Sequence, residues 1–333
     1  MSDRPTSGAA GFGAPAADET TEVFVGYREL LFSIVYNMLG SVSDTEDVLQ
    51  ETWLAWERRS RRADAETIDN PRAYLVRIAV NQALARQATL THRRETYVGS
   101  WLPEPLLTDA PESAESVDAA DRALRAESVS MALLVILETL SPLERAVFVL
   151  HEVFGYAHTE IAGILDRSPS AVRQLAHRAR EHVHARRPRF QADPQVQREV
   201  TERFLAAALG GDLSDLMEIL APDVTMWTDG GGKVRAAGLR PVTGREKVVR
   251  LLAGYTARRP GELDVRYRPV NGDPAAVVFT EDAPFVVLVL DLSTRGDQVR
   301  GIYAVTNPDK LTRIPRAEGE DGPDAGPDAG RSG

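Results

Sequence analysis

The residues with the clearest chemical potential lie on one face of a predicted helix that begins at Pro169. Val172, Ala176 and Val183 recur on it at three- and four-residue spacing and are predicted to face inward. The opposite face then carries hydrogen-bonding side chains: Ser170, Arg173, Gln174, His177 and Arg178. Arg and Gln can pair with guanine and adenine edges in a major groove, while further cations hold phosphates. The pattern favours a duplex-reading surface over the alternative, an ordinary solvated helix face.

A shorter helix and a turn precede this surface, so the whole segment has the pattern of a helix-turn-helix. The spacing predicts the first helix from His158 to Leu165, with a break at residues 166–169. Ser168 can cap the following helix with its hydroxyl. Pro169 suits the first helical position because the N–H that proline lacks would have no partner there.

Composition limits the class of protein. The chain has 333 residues, of which 43% are hydrophobic and 26% charged, as expected for a globular protein of two or three domains. Its net charge of −10 argues against indiscriminate nucleic-acid binding, but local basic patches can still bind because salt screens charges beyond about 8–10 Å. Cysteine is absent, so disulfide and thiol chemistry cannot be proposed. Without an apolar run of roughly 20 residues or a signal-peptide pattern, we expect a cytoplasmic protein.

Shifts in composition along the chain predict three folded parts. The expected fold class is multidomain, with two all-α domains followed by an α+β domain. Tails rich in Gly, Ala, Pro and Asp are predicted to be disordered. The predicted boundaries are 1–18 for a tail, 19–95 for the first helical domain, 96–117 for a linker, 118–187 for the second helical domain, 195–314 for the third domain and 315–333 for a second tail.

Two helices of the first domain carry polar faces that need partners. Residues 43–46, Ser-Asp-Thr-Glu, are typical of a capping box and predict a helix start. On that helix, an apolar side faces away from three acidic and amide groups: Asp47, Gln50 and Glu51. A second helix, beginning at Asn70-Pro71, leaves four polar side chains for solvent or phosphate: Arg72, Arg77, Asn81 and Arg86. Taken alone, each set is more often a solvated face than a binding site.

Residues 31–56 and 141–183 resemble regions 2 and 4 of extracytoplasmic-function (ECF) RNA polymerase sigma factors. The resemblance implies that Asp47, Gln50 and Glu51 dock on the clamp helices of the polymerase β′ subunit. It also implies that Arg72, Arg77 and Asn81 meet the minus-10 element and that the helix from Pro169 reads the minus-35 element. Trp56 and Tyr74 could stack on unpaired bases, with a core position as the alternative.

Three short motifs are similar to the signatures of SigJ-like sigma factors, which carry a fused SnoaL-like C-terminal domain. They are Tyr97-Val98-Gly99-Ser100-Trp101-Leu102-Pro103-Glu104-Pro105, Asp229-Gly230-Gly231-Gly232 and Asn307-Pro308-Asp309-Lys310-Leu311. Two nearby prolines stiffen the linker, and Trp101 supplies an apolar anchor, so the linker is expected to pack on a partner. Both the polymerase and the protein's own third domain are candidates for that partner.

The third domain is predicted to pack helices on one curved antiparallel sheet, the cone-shaped α+β arrangement that SnoaL-like domains resemble. Helices are expected at 195–210, 212–220 and 245–256, and strands at 224–228, 233–237, 264–270, 275–280, 285–291 and 299–305. Such cones enclose a pocket, and relatives include enzymes that transfer protons. The domain has no histidine, which leaves as candidate groups Asp223, Asp229, Tyr255, Tyr267 and Tyr303.

Together these features predict a sigma factor that binds core RNA polymerase, recognises minus-10 and minus-35 promoter elements and initiates transcription. The third domain is expected to modulate that activity through an intramolecular contact with the sigma core. We expect no catalytic residue, cofactor, metal or membrane contact, and any small-molecule ligand is unknown. The alternatives are a conventional helix-turn-helix regulator, which has no use for a polymerase-docking helix, and a SnoaL-like enzyme fused to a DNA-binding module.

Overall fold

The structure is a computed structural model that describes residues 17–61, 68–108, 129–186, 193–234, 238–256, 263–281 and 283–315. Two compact units are present, each assembled from segments distant in sequence. The first unit includes the chain up to His92 together with Leu140–His182. The second includes Ser128–Thr139 and the chain from Val183 onward, together with the segment that begins at Arg93. The predicted tails lie outside the described residues, apart from residues 17, 18 and 315.

Ten α-helices are described. They are α1 (Ala17–Leu39), α2 (Val42–Ser60), α3 (Pro71–Glu95), α4 (Met131–Leu137), α5 (Pro142–Phe148), α6 (His158–Leu165), α7 (Pro169–His184), α8 (Pro194–Gly210), α9 (Leu213–Ile219) and α10 (Arg245–Thr256). A π-helical turn, Val149–Val153, extends α5. None of the described helices is long and apolar enough to cross a membrane.

The first unit is an all-α core built on α1. Leu31, Ile34 and Met38 are fully buried and recur at helical spacing on α1, which packs along α2. The Trp56 indole N–H donates to the carbonyl of Thr20 over 2.9 Å. This bond fixes α2 against the start of α1.

The start of α2 corrects the predicted capping box at residues 43–46. Gly40, with φ of +67°, ends α1, and Ser41 then adopts an extended conformation as the N-cap. The Ser41 hydroxyl accepts from the amide of Asp44 over 3.3 Å. The helix therefore begins two residues earlier than predicted. Ser41, directly after the turn at Gly40, occupies the N-cap position that was predicted for Ser43.

The second unit contains one six-stranded sheet. Its strands are β1 (Leu220–Asp229), β2 (Val242–Thr243), β3 (Asp264–Val270), β4 (Asp273–Thr280), β5 (Ala283–Leu292) and β6 (Val299–Val305). The strand order is β2-β1-β6-β5-β4-β3, with β1 and β6 parallel and the other pairs antiparallel. The predicted class of two all-α parts and an α+β domain is confirmed.

Side chains of the sheet alternate between two buried faces. One face packs against α8, α9 and α10 through residues such as Phe204 and Ile302. The opposite face, called here the outer face, packs against the linker through Leu102 and against α4 through Met131. Leu311 near the end of the domain joins the same cluster. The linker and α4 are therefore part of the core of the second unit.

One predicted strand, at residues 233–237, is wrong where the structure describes it. Lys233 and Val234 lie in a turn, and residues 235–237 lie outside the described part of the chain. Gly231 and Gly232 adopt positive φ values of 58° and 73°, which turn the backbone instead of continuing a hairpin strand. The strand that pairs with β1 from this side is the short β2.

Candidate nucleic-acid interface and motif junction

The helix-turn-helix consists of α6 and α7, with Asp166 in the left-handed conformation between them. The Ser168 hydroxyl accepts from the amide of Ala171 over 3.2 Å, so the predicted cap is confirmed. Val172 is completely buried, as are most of its predicted inward neighbours. The outward side chains are all exposed: Ser170, Arg173, Gln174, His177 and Arg178. The predicted division of α7 into two faces is therefore confirmed.

One cation of this exposed face is held by a neighbouring helix. Arg178 donates from Nε to the carboxylate of Glu144 over 2.9 Å. Glu144 also closes a capping box with Ser141 at the start of α5, and the Ser141 hydroxyl bond contributes most to lowering the pKa of that carboxyl. Arg178 therefore ties α7 to α5 while its exposed position leaves it accessible.

The acidic and amide groups of α2 form an exposed surface. Asp47, Gln50 and Glu51 all face solvent, beside Leu54 with 38% of its surface exposed. The expectation that Arg86 is left for solvent or phosphate is wrong, because its guanidinium pairs with Asp47 over 2.6 Å and also with Asp44. These two carboxylates, chiefly through the hydrogen bond to Asp44, raise the pKa of Arg86.

The α3 side chains predicted to meet DNA are exposed, but two of them also contact the second predicted helical domain. Asn81 donates its amide N–H to the carbonyl of Ile164, at the end of α6, over 3.1 Å. The Arg72 guanidinium lies 5.3 Å from the ring centre of Tyr156, and Arg77 is exposed on the same helix. In this conformation the two predicted helical domains therefore share one packed unit.

The core of that shared unit includes a buried charge. Arg145 of α5 has 2% of its surface exposed and donates from Nε to the carbonyl of Asn37 on α1 over 3.0 Å. Burial lowers the pKa of Arg145 to about 9. Removing a cation from water costs free energy, and the lowered pKa of Arg145 reflects that cost.

Trp56 belongs to the interior of the first unit, with only 6% of its surface exposed. Tyr74 is half-buried, and its ring centre lies 5.9 Å from that of Trp56. The core position, which was the alternative to base stacking, is therefore observed for Trp56.

All three short motifs meet at the carboxylate of Asp229, which is completely buried at the end of β1. It accepts from the Tyr97 hydroxyl over 2.5 Å, from the Leu102 amide over 2.8 Å and from the Lys310 ammonium over 2.7 Å. The amide of Gly231 adds a fourth bond over 3.2 Å. We call this arrangement the motif junction: Tyr97, Leu102, Asp229, Gly231, Asn307 and Lys310.

Asn307 and the glycines complete the motif junction. Asn307 donates to the Tyr97 hydroxyl over 2.8 Å, and its side-chain oxygen accepts from the Asp309 amide to cap a 3₁₀ turn, Pro308–Lys310. A Cβ added at Gly231 would overlap the Asn307 amide, and one at Gly232 would lie 3.0 Å from the Cβ of Val98. The motif glycines are therefore required by close approach as well as by positive φ.

Burial shifts the pKa values of the two titratable partners of Asp229, Lys310 and Tyr97. Lys310 lies 4.2 Å from the centre of the Trp101 ring and also donates to the Leu102 carbonyl. Burial lowers the pKa of Lys310 to about 8, against the opposing attraction of Asp229. Burial, followed by the bond to Asp229, raises the pKa of Tyr97. The Arg94 guanidinium also lies over the Trp101 ring, 3.7 Å from its centre.

Further along, the linker adds to the edge of the sheet beside β3. Leu107 forms a bridge with Val270, and the Asn271 amide donates to the carbonyl of Leu106 over 2.8 Å. The Thr108 amide donates to the carbonyl of Pro269 over 3.0 Å. Residues 97–108 are thus held at both ends by the third domain. The sequence left two candidate partners for the linker, the polymerase and the protein's own third domain, and the structure shows the contact with the third domain.

One residue of this site was not identified from the sequence: Arg94. Tyr97 is the first residue of the linker motif, but it was given no role of its own. Arg94 lies at the end of α3, in a helix whose polar residues were assigned to DNA. Nothing in its spacing indicates a contact with Trp101.

Comparisons with known proteins identify both predicted helical domains as sigma-factor regions. The family model described as Sigma-70 region 2 matches residues 23–92, and the one described as Sigma-70, region 4 matches residues 130–183. The ECF RNA polymerase sigma factor SigJ of Mycobacterium tuberculosis is 36% identical over 305 residues, covering 89% of this chain and 94% of that protein. SigG of the same species is 29% identical, covering 84% and 78%. The crystal structure of M. tuberculosis SigJ has a TM-score of 0.66 at 32% identity and covers 88% of this chain and 98% of its own.

The matched regions, taken with the helix-turn-helix and the α+β domain, define a sigma factor with a C-terminal extension. The chain belongs to the ECF RNA polymerase sigma factors, in the SigJ-like group. As a member of that family, it is a promoter-recognition subunit that acts with core RNA polymerase on promoter DNA.

Proposed function

We propose that α7 reads the minus-35 element through its exposed face: Ser170, Arg173, Gln174, His177 and Arg178. The single observation that carries this proposal is the separation of these polar side chains from a buried apolar stripe on one helix of a helix-turn-helix. The N-terminal residues of such a recognition helix lie closest to base edges. Arg173 and Gln174 then supply the bidentate donors and acceptors that distinguish guanine and adenine.

The minus-10 element is the proposed partner of α3, through Arg72, Arg77 and Asn81. Their exposure along one helix supports this assignment. In the described structure, Asn81 donates a hydrogen bond to the end of α6. If the two sigma domains bind two separate promoter elements, this bond between them must break. The described conformation is therefore proposed to be a closed state that opens on polymerase.

The exposed surface of α2 is the proposed contact with the clamp helices of the polymerase β′ subunit. Asp47, Gln50 and Glu51 give it acidic and polar character, and the exposed Leu54 beside them adds apolar area. A polar rim around an apolar contact is the usual composition of a protein interface. Arg86 keeps Asp47 in position through their ion pair.

Regulation is the proposed role of the motif junction and of the three motifs that build it. Asp229 bonds the linker to the third domain, so the linker cannot rearrange freely while these bonds hold. The third domain would thereby bias the sigma domains between restrained and competent arrangements. The regulatory residues are those of the motifs: Trp101, Leu102, Pro103, Glu104, Pro105, Asp229, Gly230, Gly231, Gly232, Asn307, Pro308, Asp309, Lys310 and Leu311.

Catalysis by the third domain is not part of the proposal. All the candidate tyrosines, Tyr255, Tyr267 and Tyr303, have raised pKa values through burial, which keeps them protonated. Asp223 has a lowered pKa because Arg300 donates to it, and Asp229 accepts four hydrogen bonds. The shifts of the three tyrosines and Asp223 move their pKa values away from the neutral range that suits a general base. The proposed location is the cytoplasm, where core polymerase works.

The domain boundaries are retained as a proposal: 19–95 for region 2, 96–117 for the linker, 118–187 for region 4 and 195–314 for the SnoaL-like domain. The two family matches, which fall inside the first and third of these ranges, support them. In the described structure α4 packs with the third domain although it lies within the matched region 4. Region 4 is therefore proposed to share its first helix with the C-terminal domain.

In vitro transcription with core polymerase on a promoter library tests the proposed contacts. Arg173→Ala or Gln174→Ala should cost about 1–3 kcal/mol of promoter discrimination without weakening binding to core polymerase. Glu51→Lys should weaken that binding and leave promoter preference unchanged. Arg198→Ala and Glu199→Lys, on the exposed surface of α8, are the matched controls. Unchanged preference in the α7 variants, or wild-type core binding by Glu51→Lys, would contradict the corresponding assignment.

Regulation is best tested with point variants of the full chain. A chain ending near Pro188 would leave Leu102 and Met131 without the sheet that buries them, so its behaviour would mix regulation with misfolding. Asp229→Asn should change the yield of transcripts while the same promoters are chosen, and Asp264→Asn, which removes an exposed partner of Arg266 outside the three motifs, is its control. Equal yields from both variants and the wild type would refute a regulatory role for the motif junction.

A further inference from the structure

A cavity of about 640 Å³ lies between α4 and the outer face of the sheet. All its described lining residues belong to the second unit. Its volume falls within the ~300–1,000 Å³ typical of small-molecule sites. The helices α8, α9 and α10 cover the other face of the sheet, so this cavity is distinct from the interior of the α+β cone.

One wall of the cavity is the part of α4 that the sheet does not cover. Every residue of this helix is apolar, and four of its seven side chains are buried. The other three, Ala132, Val135 and Ile136, are only half-buried, and all three line the cavity. An apolar molecule bound there would remove this surface from water, which favours binding.

Two aromatic rings form part of the facing wall. Trp227 of β1 and Tyr303 of β6 are stacked, with ring centres 5.0 Å apart and planes within 15° of each other. Trp227 is half-buried, so part of its indole ring is accessible. Stacking on such a ring adds attraction beyond the burial of apolar area. The two walls together therefore favour a flat aromatic ligand.

The Tyr303 hydroxyl gives the cavity a hydrogen-bond donor. Tyr303 is 5% exposed, and its hydroxyl has no hydrogen-bond partner among the residues that the structure describes. Burial, followed by the effect of the nearby Asp291, raises the pKa of Tyr303, so the hydroxyl keeps its proton. A buried tyrosine hydroxyl usually has a partner, because leaving it without one costs free energy. An acceptor on a bound ligand would supply that partner.

A glycine keeps the space beside this hydroxyl open. Gly301 lies in the middle of β6, and a Cβ there would lie 3.3 Å from the Tyr303 hydroxyl and 3.0 Å from the Cβ of Asp291. The φ of Gly301 is not in the left-handed region, so the backbone conformation does not require a glycine. A glycine within a strand often marks the close approach of a ligand or of another backbone.

The charged side chains of the lining do not favour a charged ligand. Arg300 is paired with Asp223 over 2.9 Å. Asp273, Asp291 and Arg186 likewise have interactions of their own. A charged ligand would lose its hydration on entering the cavity without gaining a dedicated counter-ion, so an uncharged ligand is favoured.

We propose that this cavity binds a small uncharged aromatic molecule that carries a carbonyl group, with the ring between Trp227 and α4 and the carbonyl oxygen accepting from the Tyr303 hydroxyl. The site needs neither polymerase nor DNA, so it stands independently of the proposed function. Because α4 lies within the matched region 4, a bound molecule would contact a helix of the sigma core and the third domain together.

Calorimetric titration of the full chain tests the ligand class with probes that share one ring system. They are 1-indanone, indane, which lacks the carbonyl, the cation of 1-aminoindane and the anion indane-1-carboxylate. The ketone should bind at least about fivefold more tightly than indane, which is the effect of one hydrogen bond, and more tightly than either ion. Equal binding of 1-indanone and indane, preference for either ion, or no binding of 1-indanone at millimolar concentration would overturn the proposal.

Tyr303→Phe tests where the carbonyl group lies. It should abolish the preference for 1-indanone over indane, because the donor is removed, while indane binding is retained. Retained indane binding also establishes that the variant is folded. Tyr267→Phe is the matched control, because Tyr267 packs with the helices on the other face of the same sheet, and it should bind both probes as the wild type does. A preference that persists in Tyr303→Phe, or that is lost in Tyr267→Phe instead, would overturn the proposed site.

Discussion

Replacing Asp229 with asparagine should release the linker from the third domain. The change keeps the shape of the side chain but removes the charge that faces Lys310, whose side chain is 12% exposed. An amide nitrogen also cannot accept from the Leu102 amide. Removing one partner of a buried ion pair costs about 3–5 kcal/mol, because the remaining charge stays buried without compensation. We therefore expect the free energy of opening the linker to fall by about this amount.

Hydrogen exchange of the amides in residues 97–108 measures this opening directly. A decrease of about 3 kcal/mol or more corresponds to exchange that is faster by roughly 100-fold. Asp309→Asn is the matched control, because Asp309 also pairs with a lysine, Lys233, but at the surface. Its effect should stay within about tenfold, as expected for an exposed pair.

A double variant separates the ion pair from its surroundings. Asp229→Asn combined with Lys310→Met removes both charges, so the linker should exchange more slowly than in Asp229→Asn alone. The reasoning is refuted if Asp229→Asn has no larger effect than Asp309→Asn. It is also refuted if the effects of the two single substitutions simply add in the double variant.

Three further predictions concern the same structure. Gly231→Ala should destabilise the second unit by about 1–3 kcal/mol in urea unfolding, since φ is positive and the new Cβ would overlap Asn307. Its control, Gly254→Ala, lies at a helical site with open space and should be neutral or stabilising. Lys310 has a pKa of about 8 when folded and 10.5 when unfolded, so the unfolded chain binds more protons between these values and stability should rise by about 2 kcal/mol from pH 8 to pH 9.5. Lys310→Met should abolish that rise, and a rise that persists would refute the assignment. Asn81→Ala should lower the stability of the first unit by about 1 kcal/mol, measured by urea unfolding, because one hydrogen bond to α6 is removed; an unchanged midpoint would contradict the role of that bond.

The helix-turn-helix could be predicted from the sequence because its signals are local. Ser168 and Pro169 start α7 by capping and by their backbone preferences, and the apolar spacing defines its buried face. The ranges of β3, β6 and α10 were predicted for the same reason, since turns and alternation lie next to the elements they bound. Ser41 and Ser43 are both suitable N-cap residues for α2. The geometry of the preceding turn decides which of them caps the helix, and the sequence pattern alone does not give that geometry.

The motif junction could not be predicted, because its contacts join residues far apart in the chain. Asp229 next to three glycines is typical of a turn, yet it lies fully buried and accepts from Tyr97 and Leu102, 132 and 127 residues away. The packing of Met131 on the sheet likewise has no local signal, since an apolar helix face does not specify its partner. Local chemistry identified the motifs, whereas their common partner required the fold.

The two sets of bonds that restrain the chain differ in how easily they can be broken. At the motif junction, each charge has a partner and the linker adds backbone bonds along β3, so opening it exposes several groups at once. Between the two sigma domains, by contrast, Arg145 is buried against a carbonyl, and its lowered pKa records the cost of that burial. Separation returns this cation to water, and its hydration offsets part of the free energy needed to part the two domains. If the closed state opens on polymerase as proposed, the sigma domains would part while the linker stays bound, and the third domain would move with α4.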